Sequence, residues 1–274
     1  MAPGIPQNYD GFRVYGGSSA YRRDVLGEGF SKGTAVVTGA SSGVGACYAE
    51  QLAERGFDVI LVARNRARMN ALASRLTDKT HRSFEVMQAD LASTDDLERI
   101  ERLLSTDSSI TMLVNNAGIG AAVGSFEPDS YQVSQSIAVN LAALTRLTLA
   151  ASAAFASRRR GTIIQVASLT AVKWDFQSGI FGAIAAYVLA YSRSLHQELS
   201  DQGVRLQVVL PEPKYRRFSE VAKQVASPGR RSHARSVKQL VRTALNGLDK
   251  GEFVSMASTR HRNALPDACA GFDA

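Results

Sequence analysis

The chain has 274 residues, 45% of them apolar and 21% charged, a globular composition that excludes collagen-like and low-complexity chains. Cys47 and Cys269 stand far apart, and His81, His196, His233 and His261 show no ligand spacing. A disulfide framework and a metal site are therefore both excluded by pattern, and a reducing, cytoplasmic setting is expected. The net charge is +7, and residues 205–262 alone hold 13 Lys/Arg against 4 Asp/Glu. That segment lacks aromatic interleaving and a recognition-helix pattern. It reads as a solvated face or a wall for an anionic ligand, and no nucleic-acid partner is expected.

In chain order, residues 1–32 read as an N-terminal extension, an arm or a disordered tail. They are polar and Gly-rich with Arg13, Arg22 and Arg23, unlike a secretory signal. Thr34–Thr38 is a short β-branched run that ends in a Gly-rich turn, and a helix pattern follows from Gly43 to Arg55. Val59–Ala63 is a second buried strand and Arg66–Leu76 a second helix, and Ser83–Gln88 with Leu97–Leu104 repeats the scheme. Met112–Val114, Thr162–Val166 and Leu206–Leu210 supply later strands. Two long helices, Tyr131–Ser157 and Ser178–Ser200, separate them. Short apolar runs alternating with amphipathic helices predict βαβ units and a parallel sheet covered on both faces. The expectation is one doubly wound α/β domain over 33–256, with 257–274 as a C-terminal tail. The longest uncharged apolar stretch, near Gly179–Ser192, falls short of the roughly 18 residues of a membrane span, so no membrane partner is expected.

The turn Thr38-Gly39-Ala40-Ser41-Ser42-Gly43-Val44-Gly45 leaves the first buried strand and opens a helix. Glycines there allow a tight turn and close approach of a pyrophosphate, whose charge meets the helix N-terminus. After the second strand an Asp or Glu would bind the ribose 2′-OH of NAD. This chain has Arg64, with Arg66 and Arg68 close behind. Guanidinium groups suit a 2′-phosphate, so NADP(H) is the expected cofactor; the alternative is a basic first turn on a surface helix.

These residues resemble the short-chain dehydrogenase/reductase family over residues 33 to about 255. The Gly-rich turn is similar to the family's cofactor motif, and Asn115-Asn116-Ala117-Gly118 to its NNAG motif. Asp90-Leu91 resembles the Asp that meets the adenine ring, Asn140 the structural catalytic Asn, and Ser168 the catalytic Ser. The resemblance implies a Rossmann-type fold, a nicotinamide cofactor and a small-molecule carbonyl or alcohol substrate. It also implies a homodimer or homotetramer packed through the two long helices, which are rich in small residues.

The chemistry departs from the family at its centre. The family's Tyr lies thirteen residues past the Ser, and its Lys four further. Here those positions hold Phe181 and Ala185, while the flanks still align. A phenol near pKa 10 acts at neutral pH only when a neighbouring cation tunes it. Phe181 has no proton to give, and Ala185 removes the tuning charge. Tyr187 lies about 240° further round the same helix and is expected to face away, with Tyr191 as a second packing residue. Lys173, Asp175 and Glu212 are candidate substitute acid/base groups, Glu212 standing where the family has Gly after the last strand. Trp174, Lys214 and Tyr215 lie beside them. Three readings follow: an atypical NADP(H)-dependent oxidoreductase, a non-redox enzyme on the same fold (isomerase, dehydratase, aldolase or cyclase), and a catalytically silent variant, natural or engineered.

Overall fold

The alternation of strands and helices becomes one eight-stranded sheet among the described residues, in the order β1-β4-β3-β2-β5-β6-β7-β8. This computed structural model describes residues 12–15, 32–119, 129–172, 179–211 and 229–256, with 12–15 and 229–236 as backbone only. In chain order come β1 (Phe12–Tyr15), β2 (Thr34–Thr38), α1 (Gly43–Glu54), β3 (Asp58–Ala63), α2 (Arg66–Thr80), β4 (Phe84–Gln88) and α3 (Thr94–Thr106). They are followed by β5 (Ile110–Asn115), α4 (Ser130–Ile137), a π-helical segment (Ala138–Ala143) and α5 (Leu144–Ser157). The remainder is β6 (Gly161–Val166), a 3₁₀ turn (Leu169–Ala171), α6 (Gly179–Asp201), β7 (Val204–Leu210), α7 (Gly229–Asp249) and β8 (Val254–Met256).

Strands β2 to β8 pair in parallel, and β1 pairs antiparallel with β4. The chain runs outward from β2 through β3 to β4, then returns to lay β5 on the other side of β2. The strand order therefore reverses between β2 and β5. In an open α/β sheet, ligands bind in the crevice at the carboxyl ends of the strands flanking that point.

The strands read as unbroken apolar runs because both faces are covered. Along β2, Ala35 and Val37 enter one core with Tyr48 and Leu52 of α1, Met69 and Leu76 of α2, and Leu240 and Val241 of α7. Val36 enters the other core, with Ile100 and Leu104 of α3, Leu147 and Phe155 of α5, and Val188 of α6. Ile163 and Ile164 on β6 divide in the same way, as the two-residue period of a strand requires.

Several expectations change. A strand, Phe12–Tyr15, lies inside the N-terminal extension, which the sequence reading left without period. Helix α7 and strand β8 close the domain in a stretch where the sequence pattern predicts no element. The helix expected at Tyr131–Ser157 carries a π segment at Ala138–Ala143. The run Ser130–Ser157, and not Gly179–Ser192, is the described helix long and apolar enough by length and composition to cross a membrane. In this fold Leu147, Ala151 and Phe155 bury one side of it against the sheet. Arg146 pairs with Glu101 of α3 through Nε (2.7 Å) and Nη2 (2.6 Å). Lys173, Trp174, Asp175, Glu212, Lys214 and Tyr215 lie outside the described residues, as do residues 257–274.

Candidate functional site

Thr38, the last residue of β2, ties the two strands of the switch point together. Its Oγ1 donates to the Val114 carbonyl at 3.2 Å and accepts from the backbone N–H groups of Asn116 and Ala117, each at 3.0 Å. Asn116 returns the contact, its Nδ2 donating to the Thr38 carbonyl at 2.9 Å. This packing dictates the glycines. Gly39 has φ +66°, and a Cβ there would lie 2.8 Å from Asn116 Nδ2 and 2.9 Å from Ala117 Cα. At Gly45 a Cβ would lie 2.5 Å from both Asn116 Nδ2 and the Gly39 carbonyl oxygen. The Gly-rich turn and the Asn-Asn-Ala-Gly segment are thus one unit, packed too closely for side chains.

At the start of α1, Ser42 takes the N-cap position with no side-chain capping bond, and no acidic residue occupies the first turn. The N–H of Ala46 reaches the Ser42 carbonyl at 3.2 Å. The N–H groups of Gly43, Val44 and Gly45 are left at the helix end, a donor set suited to an anion. Ser41 is half-buried and Ser42 exposed beside them.

On the far side of β2, β3 ends at Ala63 and Arg64 follows, exposed. Asn65 caps α2, its side chain accepting from the Arg68 N–H at 2.9 Å. The first turn has no acidic residue. Arg64, Arg66 and Arg68 form no ion pair among the described residues. The Arg64 carbonyl accepts from Gln88 Nε2 at 3.1 Å, which ties this turn to the end of β4. Asp90 follows β4 and is half-buried. Its Oδ1 accepts from the Ala92 N–H at 3.0 Å, and its own N–H donates to Asp96 Oδ2 at 2.8 Å. Leu91 beside it is buried.

Across the switch point, a shallow recess is lined by Ala117, Asn140, Leu144, Val166, Ala167, Phe181, Ile184, Ala185 and Val188. Phe181 and Ala185 face it one turn apart on α6. Asn140 contributes the polar side chain, and both ends of its amide are committed. Oδ1 accepts from the Ile119 N–H at 2.8 Å, while Nδ2 donates to the Ile119 carbonyl at 2.7 Å and to Ser136 Oγ at 3.0 Å. Asn140 lies in the π segment, and such single-turn bulges are frequent at functional sites. The clasp holds the exit from β5 against this helix.

Ser168 follows Val166 and Ala167, which line the recess. It is fully buried, its Oγ accepts from the Thr170 N–H at 3.4 Å, and it is not among the residues lining the recess. Tyr187 points away, as its helical angle predicts, and its hydroxyl bonds to Thr145 Oγ1 at 2.9 Å. Tyr191 stacks on it with ring centroids 5.7 Å apart. The sequence reading missed Leu144, Ile184 and Val188 as lining residues. The apolar i, i+3, i+4, i+7 spacing of Phe181, Ile184, Ala185 and Val188 was the available signal. Ile119 as the partner of Asn140 had no local signal.

The switch point, the Gly-rich turn packed on a second loop and the open helix end define a doubly wound α/β fold with an anion-suited donor set at its switch point. Residues 33–220 match the short chain dehydrogenase family, and the chain belongs to that family. It is 29% identical over 221 residues to very-long-chain 3-oxoacyl-CoA reductase-B of Danio rerio, covering 78% of this chain and 69% of that protein. It is 29% identical over 179 residues to the human inactive hydroxysteroid dehydrogenase-like protein 1, covering 65% of this chain and 54% of that protein. The fold resembles the short-chain dehydrogenase from Sphingobium yanoikuyae solved in complex with NADPH. The TM-score is 0.77 at 36% identity, covering 87% of this chain and 94% of that one.

Proposed function

We propose that this chain is an NADP(H)-binding short-chain dehydrogenase/reductase-like protein, an atypical oxidoreductase whose reaction centre lacks the usual Tyr/Lys acid pair. Bound nicotinamide cofactors exchange a hydride with carbonyl or alcohol carbons. In this reading the N–H groups of Gly43, Val44 and Gly45 hold the pyrophosphate, and Arg64 with Arg66 or Arg68 holds the 2′-phosphate. Asp90 and Leu91 border the adenine, and Asn116, Ala117 and Gly118 border the nicotinamide half. The arginines have no carboxylate competitor in their helical turn, and the Sphingobium protein was solved with NADPH. Both support NADP(H).

The observation that carries the atypical chemistry is the lining of the recess. Phe181 and Ala185 face it, and among its described lining residues only Asn140 has a polar side chain, one already spent on Ile119 and Ser136. Tyr187 has committed its hydroxyl to Thr145. No described lining side chain has a proton to transfer near neutral pH, and loss of a general acid costs about 10²–10⁴ in rate. The kinship with a protein named as inactive agrees with this.

The test is turnover of NADPH with 3-oxoacyl-CoA and ketosteroid probes, the chemistries in the relatives' names. The native chain should bind NADPH and consume it very slowly. The double variant Phe181→Tyr/Ala185→Lys should raise the rate by roughly 100-fold or more. Brisk native turnover that the double variant does not raise would contradict the proposal. The same reading includes a homodimer or homotetramer, supported by exposed Tyr131, Ile137, Leu149 and Ile180 on α4, α5 and α6. A monomer by light scattering would refute that part.

A further inference from the structure

The segment Phe12–Tyr15 lies outside residues 33–220, the stretch shared with the family, yet it adds a strand to the sheet. It pairs antiparallel with β4, Phe12 opposite Met87, Arg13 opposite Val86, Val14 opposite Glu85 and Tyr15 opposite Phe84. Without it β4 would be the edge of the sheet, with a row of unpaired backbone groups and a terminus free to fray.

The end of β4 carries two parts of the adenosine half of the site. Met87, opposite the first residue of β1, precedes Gln88, whose Nε2 holds the Arg64 carbonyl at 3.1 Å. Ala89 then bonds back to the Ala63 carbonyl at 3.1 Å, and Asp90 starts the turn closed by Ala92 and Asp96. Because β1 is antiparallel, its first pair falls at the carboxyl end of β4, the end that faces the cofactor crevice. We infer that β1 is a strap: by pairing along β4 it fixes the register of Gln88 and Asp90, and through Gln88 the placement of Arg64. The strap is a positioning element for recognition of an adenosine 2′-phosphate. The inference rests on the NADP(H) reading for its ligand and on the strand pairing for its mechanism.

The experiment uses the full chain and 2′,5′-ADP, a probe that carries the adenosine and 2′-phosphate and no nicotinamide. Two single variants, Arg13→Pro and Val14→Pro, are compared with the native chain. Adjacent residues of an edge strand point their N–H groups in opposite directions, so one proline removes a bond to β4 and the other faces outward, where it is tolerated. One variant should bind 2′,5′-ADP roughly two- to tenfold more weakly, the worth of one hydrogen bond, and the other like the native chain. It should also show faster amide exchange at Val86–Gln88 while keeping its thermal melt. Native-like binding by both variants would overturn the strap. If the native chain fails to bind 2′,5′-ADP, the NADP(H) reading is what has failed. Amide exchange then still decides the strap: faster exchange at Gln88 and the first turn of α2 in one variant alone supports it, and equal exchange refutes it.

Discussion

Replacing Thr38 by Val keeps the shape of the side chain and deletes the hydroxyl that joins β2 to β5. Thr38 is 1% exposed, and its Oγ1 serves the Val114 carbonyl and the N–H groups of Asn116 and Ala117. The two N–H groups are partly buried, so each loses a partner at a cost of about 1 kcal/mol, and the bond to Val114 adds about as much. The expected loss is therefore about 2–4 kcal/mol, a large share of the roughly 5–15 kcal/mol that keeps a domain folded. Cofactor affinity should fall as well, because Gly39 and Ala117 are held in contact through this hydroxyl. Thr38→Ser keeps the hydroxyl and removes one methyl, costing about 1 kcal/mol. Urea unfolding of the three proteins, read by circular dichroism, separates hydroxyl from methyl. A Val variant within about 0.5 kcal/mol of the native chain would refute the switch-point reasoning, since two orphaned, partly buried donors and the lost bond to Val114 together cost more than that. So would a Ser variant as unstable as Val.

Two further outcomes follow from the core and the α1–α2–α7 layer. Tyr48 is fully buried and its hydroxyl has no partner among the described residues, and burial pushes the phenol well above its ordinary range. Tyr48→Phe should leave stability unchanged or raise it by up to about 1 kcal/mol in thermal melts; a clear loss would mean the hydroxyl is bonded. The Glu50 carboxyl is pushed up by burial, but hydrogen bonds from Lys79 (2.8 Å) and Lys238 (3.3 Å) and their charges bring it below its ordinary 4.5. A carboxyl depressed in the folded state stabilises above its unfolded value, and that contribution is lost as pH falls below about 4.5. Glu50→Gln should flatten the acid limb of the stability profile below that pH, and identical acid limbs would contradict the ion cluster's role.

The strands of the domain were legible because burial on both faces forces apolar runs, and β2, β3, β5, β6 and β7 all fall where those runs stand. Strand β1 was not, since four residues gain their conformation from the backbone of β4 and carry no period of their own. Helix α7 was readable in principle. Val237, Leu240, Val241, Ala244, Leu245 and Leu248 are all buried at helical spacing, a pattern masked by Lys238, Arg242 and the basic residues that precede them. At the site, the close packing of Gly39 and Gly45 could be read from their place after β2, and the position of Arg64 from the end of β3. The commitment of Asn140 to Ile119 could not, because it joins residues 21 positions apart through a π segment without local signature. Ser168 was assigned from its order in the chain, whereas its burial and its bond to Thr170 depend on how the chain leaves β6.

The most direct test of the account is a titration of the native chain with NADPH and with NADH, read by energy transfer from Trp174, the only tryptophan. NADPH should bind more tightly by roughly 10- to 100-fold, the worth of one or two charge-assisted bonds to a 2′-phosphate. Arg64→Ala should close most of that gap. Equal affinity for the two cofactors, or no binding of either, would contradict it.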